Sequence, residues 1–176
     1  MKKWKLLSED EPIHLGYRTI VPRDDELPDG TRSEWHIKDE PESSAVVALT
    51  AMREIVVVRQ FRAGPNRILL ELPGGNMDDS EDPVETARRE LREETGYDGN
   101  VEYVGPSFDC AYSTRVKHCF VATDCEKQGE PTPETAEDVE VVLLPLAEFR
   151  EHIRSGSLTD GWIAYRALDH LGLLDT

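Results

Sequence analysis

Three observations in this chain of 176 residues predict an α/β or α+β fold. Short β-branched runs of strand length alternate with segments of helical periodicity. A strand-like stretch, residues 69–72, runs into the glycine turn Pro73-Gly74-Gly75. A segment carrying helix signals at both ends follows that turn. No internal repeat or low-complexity tract breaks the order, and the length suits one well-buried core.

Residues 1–40 read as short strands and turns, with Pro28-Asp29-Gly30 as a hairpin signal between polar segments. Residues 46–49 and 55–58 are apolar, rich in Val and Ile, and separated by a short polar turn, so both are predicted strands. Residues 101–104, 119–122 and 139–144 are further strands, and 128–135 is a loop by its Gly, Pro and Thr content. Residues 146–154 and 162–171 have helical periodicity, with Gly172 as a stop.

The helix after the glycine turn is the most strongly marked element. Asp82 is a good N-cap, and Pro83 suits the first helical position, where a missing N–H costs nothing. Glu85 completes an Asp-x-x-Glu capping box, and Gly96 can take the left-handed conformation that closes a helix. Val84, Ala87 and Leu91 form a stripe predicted to face the core. Glu90, Glu93 and Glu94 stand at i, i+3 and i+4 and share one helical face. Like charges at that spacing repel, so a stable helix needs cations beside them. Arg89 can pair with Glu93 four residues on. Oxygen donors without nearby Cys or His suit Mg²⁺ or Mn²⁺ and not zinc.

The balance of 20 basic against 36 acidic residues leaves a net charge of −16, which argues against a nucleic-acid duplex or an anionic membrane as partner. A phosphate substrate is compatible with that charge, because bound divalent cations invert the local field. No apolar run reaches the length of a transmembrane helix, and the N-terminal apolar run is too short for a secretory signal. Three cysteines without zinc spacing are expected as reduced thiols, so the cytoplasm is the expected location.

Gly75, Glu81, Arg89, Glu90, Leu91, Glu93, Glu94, Gly96 and Tyr97 match every position of the Nudix box. One Arg, two Gly and four Glu at such offsets arise by chance in roughly one chain in a million. The chain therefore resembles the Nudix hydrolases. That resemblance implies an α/β/α sandwich around a mixed sheet. It also implies metal-dependent hydrolysis of a nucleoside diphosphate linked to another group. The segment from Val57 to Arg62 and that from Leu70 to Gly75 are similar to the ADP-ribose pyrophosphatase branch, as is the N-terminal part with Pro28-Asp29-Gly30-Thr31-Arg32 and Trp35. The branch implies an N-terminal antiparallel strand extension over 1–42, serving dimerisation and the substrate pocket, and a hydrolase domain over 43–176.

The resemblance also implies roles for residues. Glu90, Glu93, Glu94 and the Gly74 carbonyl would hold the metal, while Glu81 and Arg89 would orient the carboxylates. Arg62 would contact the diphosphate, Glu71 is a further substrate-site candidate, and Tyr17 and Trp35 would hold the base. Relatives often carry Pro-Gly and a glutamate in the segment matching residues 109–115, where this chain has Ala111-Tyr112 and Arg115. The catalytic base is therefore sought on the later loop at Glu137 or Glu134, with Glu93 as the rival. The leading expectation is a homodimeric enzyme cleaving ADP-ribose or a related nucleoside diphosphate sugar. Alternatives are GDP-mannose, a dinucleoside polyphosphate or an oxidised nucleoside triphosphate as substrate, or a non-catalytic nucleotide-sugar sensor.

Overall fold

Alternation along two central strands decides how this chain packs. In β5 (Ser43–Thr50) and β6 (Glu54–Arg62), Ala45, Val47, Ile55 and Val57 belong to one buried cluster, and Val46, Ala48 and Val56 to another. Successive side chains of a strand point to opposite faces, so two apolar faces need two covers. Helices α2 (Leu146–Arg154) and α3 (Gly161–His170) cover the first through Leu146, Phe149, Ile153, Ile163, Ala164, Ala167 and Leu168. Helix α1 (Pro83–Thr95) covers the second through Ala87 and Leu91. The result is an α/β/α sandwich, as the resemblance implied.

The computed structural model describes residues 1–132 and 138–174. Its chain divides into two units, one of Met1–Glu42 with Ser107–Lys117, the other of Ser43–Pro106 with His118–Thr176. The second unit is built on a seven-stranded sheet with the order β11-β6-β5-β10-β9, where β9 is Tyr97–Phe108, β10 Val116–Lys127 and β11 Val139–Pro145. Two short strands join it: β7 (Arg67–Glu71) pairs with β6, and β8 (Gly74–Asn76) pairs with β5. In the β5–β8 ladder Ala45 faces Gly74, Ser44 faces Gly75 and Ser43 faces Asn76. That pairing places the glycine turn alongside the start of β5, against α1.

The first unit has its own antiparallel sheet of β1 (Lys5–Glu9), β2 (Ile13–Leu15), β3 (Arg18–Glu26) and β4 (Arg32–Asp39). β3 and β4 form the hairpin expected around Pro28-Asp29-Gly30, closed by Leu27 N–H to Thr31 carbonyl at 2.8 Å. Gly30 has φ 85°, a left-handed turn conformation that a side chain would strain. The segment 107–117 joins this sheet through Lys38, whose N–H reaches the Tyr112 carbonyl at 2.8 Å and whose carbonyl accepts Thr114 N–H at 2.9 Å. Sequence periodicity carries no sign of that contact, because its partners are more than seventy residues apart.

The end signals of α1 hold. The Glu85 carboxylate accepts the Asp82 N–H at 3.4 Å, and Gly96 caps the C-terminus at φ 73° with its N–H on the Arg92 carbonyl. The predicted apolar stripe needs one correction. Ala87 and Leu91 are fully buried, but Val84 in the first turn is 38% exposed. The inner face instead continues through Thr86, Glu94 and Thr95, all buried. Val84, in the first turn, is left partly open to solvent.

Candidate active site

Glycine at 74 is a packing requirement, and glycine at 75 leaves room for a carboxylate. A Cβ on Gly74 would lie 2.3 Å from the Ser44 carbonyl oxygen, and one on Gly75 would lie 2.3 Å from Glu90 Oε1. Both distances are far inside van der Waals contact, so any side chain there would displace β5 or the Glu90 carboxylate. Glu94 is buried at 2% exposure and accepts the Gly74 N–H on Oε2 at 3.0 Å. Two carboxylates from successive positions on one helical face are thus held against the backbone of the glycine turn.

The cation that the carboxylates require is supplied in part by the chain itself. Arg89 donates from Nη1 to Glu90 Oε1 at 2.9 Å and to Glu93 Oε2 at 3.1 Å, the latter being the expected pair. Its Nε and Nη2 both reach Glu81 at 3.1 Å, and Nη2 also reaches the Asn76 carbonyl at 3.2 Å. Glu81 also accepts the Thr86 hydroxyl at 2.7 Å. The Arg89 hydrogen bond, with smaller help from Thr86 and the Asp78 N–H, lowers the Glu81 carboxyl to about 2. In return Glu81 above all, then Glu90 and Glu93, raise the Arg89 guanidinium above its ordinary value. Arg89 is locked as a cation among three glutamates. Glu93 remains the most open of them, its side chain 41% exposed.

At the other end of the turn, Glu71 closes β7 and is 2% exposed. Arg62 at the end of β6 donates to it through Nε, and the Arg62 side chain is otherwise 44% exposed. The pairing of β6 with β7 brings these two expected substrate-site residues together.

The aromatic candidates lie in the first unit. Trp35 on β4 stacks on Trp4 at 5.2 Å and on Tyr112 at 5.9 Å between ring centroids. The buried Trp35 Nε1 has no hydrogen-bond partner among the described residues. Tyr17 stands apart from this stack, 90% exposed, with the Arg18 guanidinium 5.2 Å from its ring centre. Trp4 and Tyr112 were not singled out by sequence reasoning. For Tyr112 a signal existed, since it occupies the place where relatives often carry Pro-Gly. Trp4 gave none.

A model of the NUDIX domain matches residues 40–162, which is most of the chain. The chain belongs to the Nudix family. It is 34% identical to the ADP-ribose pyrophosphatase of Bacillus subtilis (strain 168), over 88% of this chain and 84% of that one. It is 32% identical to the methanol dehydrogenase activator of Bacillus methanolicus, over 85% of this chain and 83% of the relative. A crystal structure of an ADP compounds hydrolase superposes with a TM-score of 0.79 over 98% of each chain at 20% identity, a likeness of fold. The α/β architecture and the assignment as a Nudix hydrolase acting on pyrophosphate bonds stand on these matches together.

Hydrolases of this family generally use a divalent metal, and the donor set can be tested for fit. Glu90, Glu94 and the backbone of Gly74 and Gly75 offer only hard oxygen atoms beside a cradle that a Cβ would fill, which suits a hard dication. Among the described residues no three Asp, Glu, His or Cys side chains are clustered as a metal cage by themselves. Of the candidates for the base, Glu93 is on this face, while Glu134 and Glu137 lie outside the described residues.

Proposed function

We propose that this Nudix hydrolase cleaves the diphosphate of ADP-ribose or a closely related nucleoside diphosphate sugar, releasing a nucleoside monophosphate and a sugar phosphate. The observation that carries this reading is the pair Glu90 and Glu94 held against the Gly74–Gly75 turn, with Arg62 anchored on the strand that leads into it. The relative from Bacillus subtilis bears the name of that activity and matches along most of its length. Glu90 and Glu94, with Glu93 and the Gly74 carbonyl, are the proposed ligands of Mg²⁺ or Mn²⁺. The ion would supply stabilisation of the negative charge that develops on the phosphoryl oxygens.

The chain's own residues divide the remaining work. Arg62 binds the diphosphate as a fixed cation, its Nε committed to Glu71. Arg89 keeps Glu90 and Glu93 aligned. A carboxylate takes the proton from the attacking water, and Glu137, Glu134 and Glu93 are the proposed candidates. Tyr17 and Trp35 are the proposed aromatics for the nucleobase. A homodimer in the cytoplasm completes the proposal.

The test is a substrate panel with Mg²⁺ or Mn²⁺ and identification of the products. A mononucleotide plus a sugar phosphate is expected. Release of inorganic pyrophosphate from a triphosphate, with nucleotide sugars untouched, overturns the reading. Tight ADP-ribose binding without turnover would replace it with a sensor.

A further inference from the structure

Glu71 shows how the anion-binding arginine is held. A carboxylate at 2% exposure has lost its water and needs hydrogen-bond donors on both oxygens. Arg62 serves Oε2, and the hydroxyl of Thr159 donates to Oε1 at 2.5 Å. Thr159 lies in the loop between α2 and α3 and is itself exposed, 88 residues along the chain from Glu71. The same helical layer touches β7 a second time, where His152 Nε2 donates to the Leu70 carbonyl at 2.9 Å. His152 thus pins the strand's backbone, whereas Thr159 pins the carboxylate alone.

We propose that Thr159 is a positioning residue for substrate binding, acting through Glu71 on Arg62; this rests on the reading of Arg62 as the ligand of the diphosphate. The terminal torsion of a glutamate is broad and roughly twofold, so a carboxylate with one partner can swing in its plane. Bonds on both oxygens fix that plane. Glu71 then offers Arg62 one oxygen in one direction, and the guanidinium is oriented before substrate arrives. Among the described residues Arg62 has no other hydrogen-bond partner, so nothing else in the set aims it. Pre-orientation of a binding group appears as affinity, because the cost of ordering is met before the encounter.

Kinetics on ADP-ribose with Thr159→Val, Thr159→Ser and Arg62→Ala test this. Thr159→Val is close in shape and removes only the hydroxyl at an exposed position. It is expected to raise KM about fivefold to twentyfold, the scale of a lost hydrogen bond to a charged group, with kcat within about threefold. Thr159→Ser keeps the donor and is expected to restore KM. In an Arg62→Ala background, Thr159→Val is expected to change KM by less than about twofold, because the group it aims is gone. An unchanged KM in Thr159→Val overturns the inference, as does an effect of undiminished size in the Arg62→Ala background. A lowered Tm with normal KM also overturns it, marking Thr159 as a loop residue only. If the wild-type protein turns over no nucleotide sugar, the proposed function falls instead. Calorimetric binding of inorganic pyrophosphate with Mg²⁺ then decides the inference, with weaker binding by Thr159→Val supporting it and equal binding rejecting it.

Discussion

Glu94 and Glu90 differ in what holds them, and that difference shapes the prediction at each. Glu94 is almost fully buried and bonded to a backbone N–H, whereas Glu90 faces Arg89 and the α-carbon of Gly75. Glu94→Gln keeps an oxygen for the Gly74 N–H while removing the charge. It is expected to lower kcat at least ~100-fold, about 2.7 kcal/mol of barrier, with little change in Tm. Steady-state rates and a melting curve check this, and a near-normal rate with Mg²⁺ rejects Glu94 as a ligand. At position 75 the methyl of Gly75→Ala would displace the Glu90 carboxylate, so the expected outcome is loss of activity without unfolding. Circular dichroism beside an activity assay separates the two. The spacing of Glu90, Glu93 and Glu94 was legible in the sequence. The sharing of one guanidinium among Glu81, Glu90 and Glu93 was not, because Glu81 reaches it from the turn preceding the helix.

Helix α1 shows how far local signals go. Asp82, Pro83, Glu85 and Gly96 mark its ends, and those ends are where the sequence puts them. Its inner face was harder to read, since periodicity alone counts Val84 with Ala87 and Leu91. Burial on the helix begins at Thr86, and Val84 before it is partly exposed. Leu91→Ala is accordingly expected to cost about 2–5 kcal/mol, the range for truncating a fully buried leucine. Val84→Ala, by contrast, is expected to stay within about 0.5 kcal/mol, as exposed substitutions do. Denaturant melts of the two variants test the corrected face, and equal losses would reject it.

For the whole molecule, charge is the dominant property. At a net −16, self-repulsion is expected to be relieved by salt. In the first unit Asp109 accepts Lys38 Nζ at 2.8 Å and pairs with Lys117 at 3.2 Å. The Lys38 hydrogen bond, assisted by Lys117, brings its carboxyl down to about 2. A carboxyl lowered on folding stabilises the protein above its unfolded value, near 4, and loses that contribution as pH falls toward its folded value. Stability is therefore expected to decline between about pH 4 and pH 2. In Asp109→Asn the decline should be shallower over that window, measured as Tm against pH. An identical slope in the variant would show that Asp109 does not contribute.

By itself the sequence determined the alternation of strands and helices, the capped helix, the glycine turn before it and the set of carboxylates on one face. These are legible because each depends on residues within a few positions of one another: periodicity, caps and turns are local physics. Tertiary structure alone decided which of those carboxylates meet the glycine backbone. It also decided that 107–117 packs with the N-terminal strands through Lys38, and that Tyr112 stacks on Trp35. It placed Thr159 on Glu71 across 88 residues of chain. Contacts of that span follow from how sheets and layers close on each other, and no spacing along the chain encodes them.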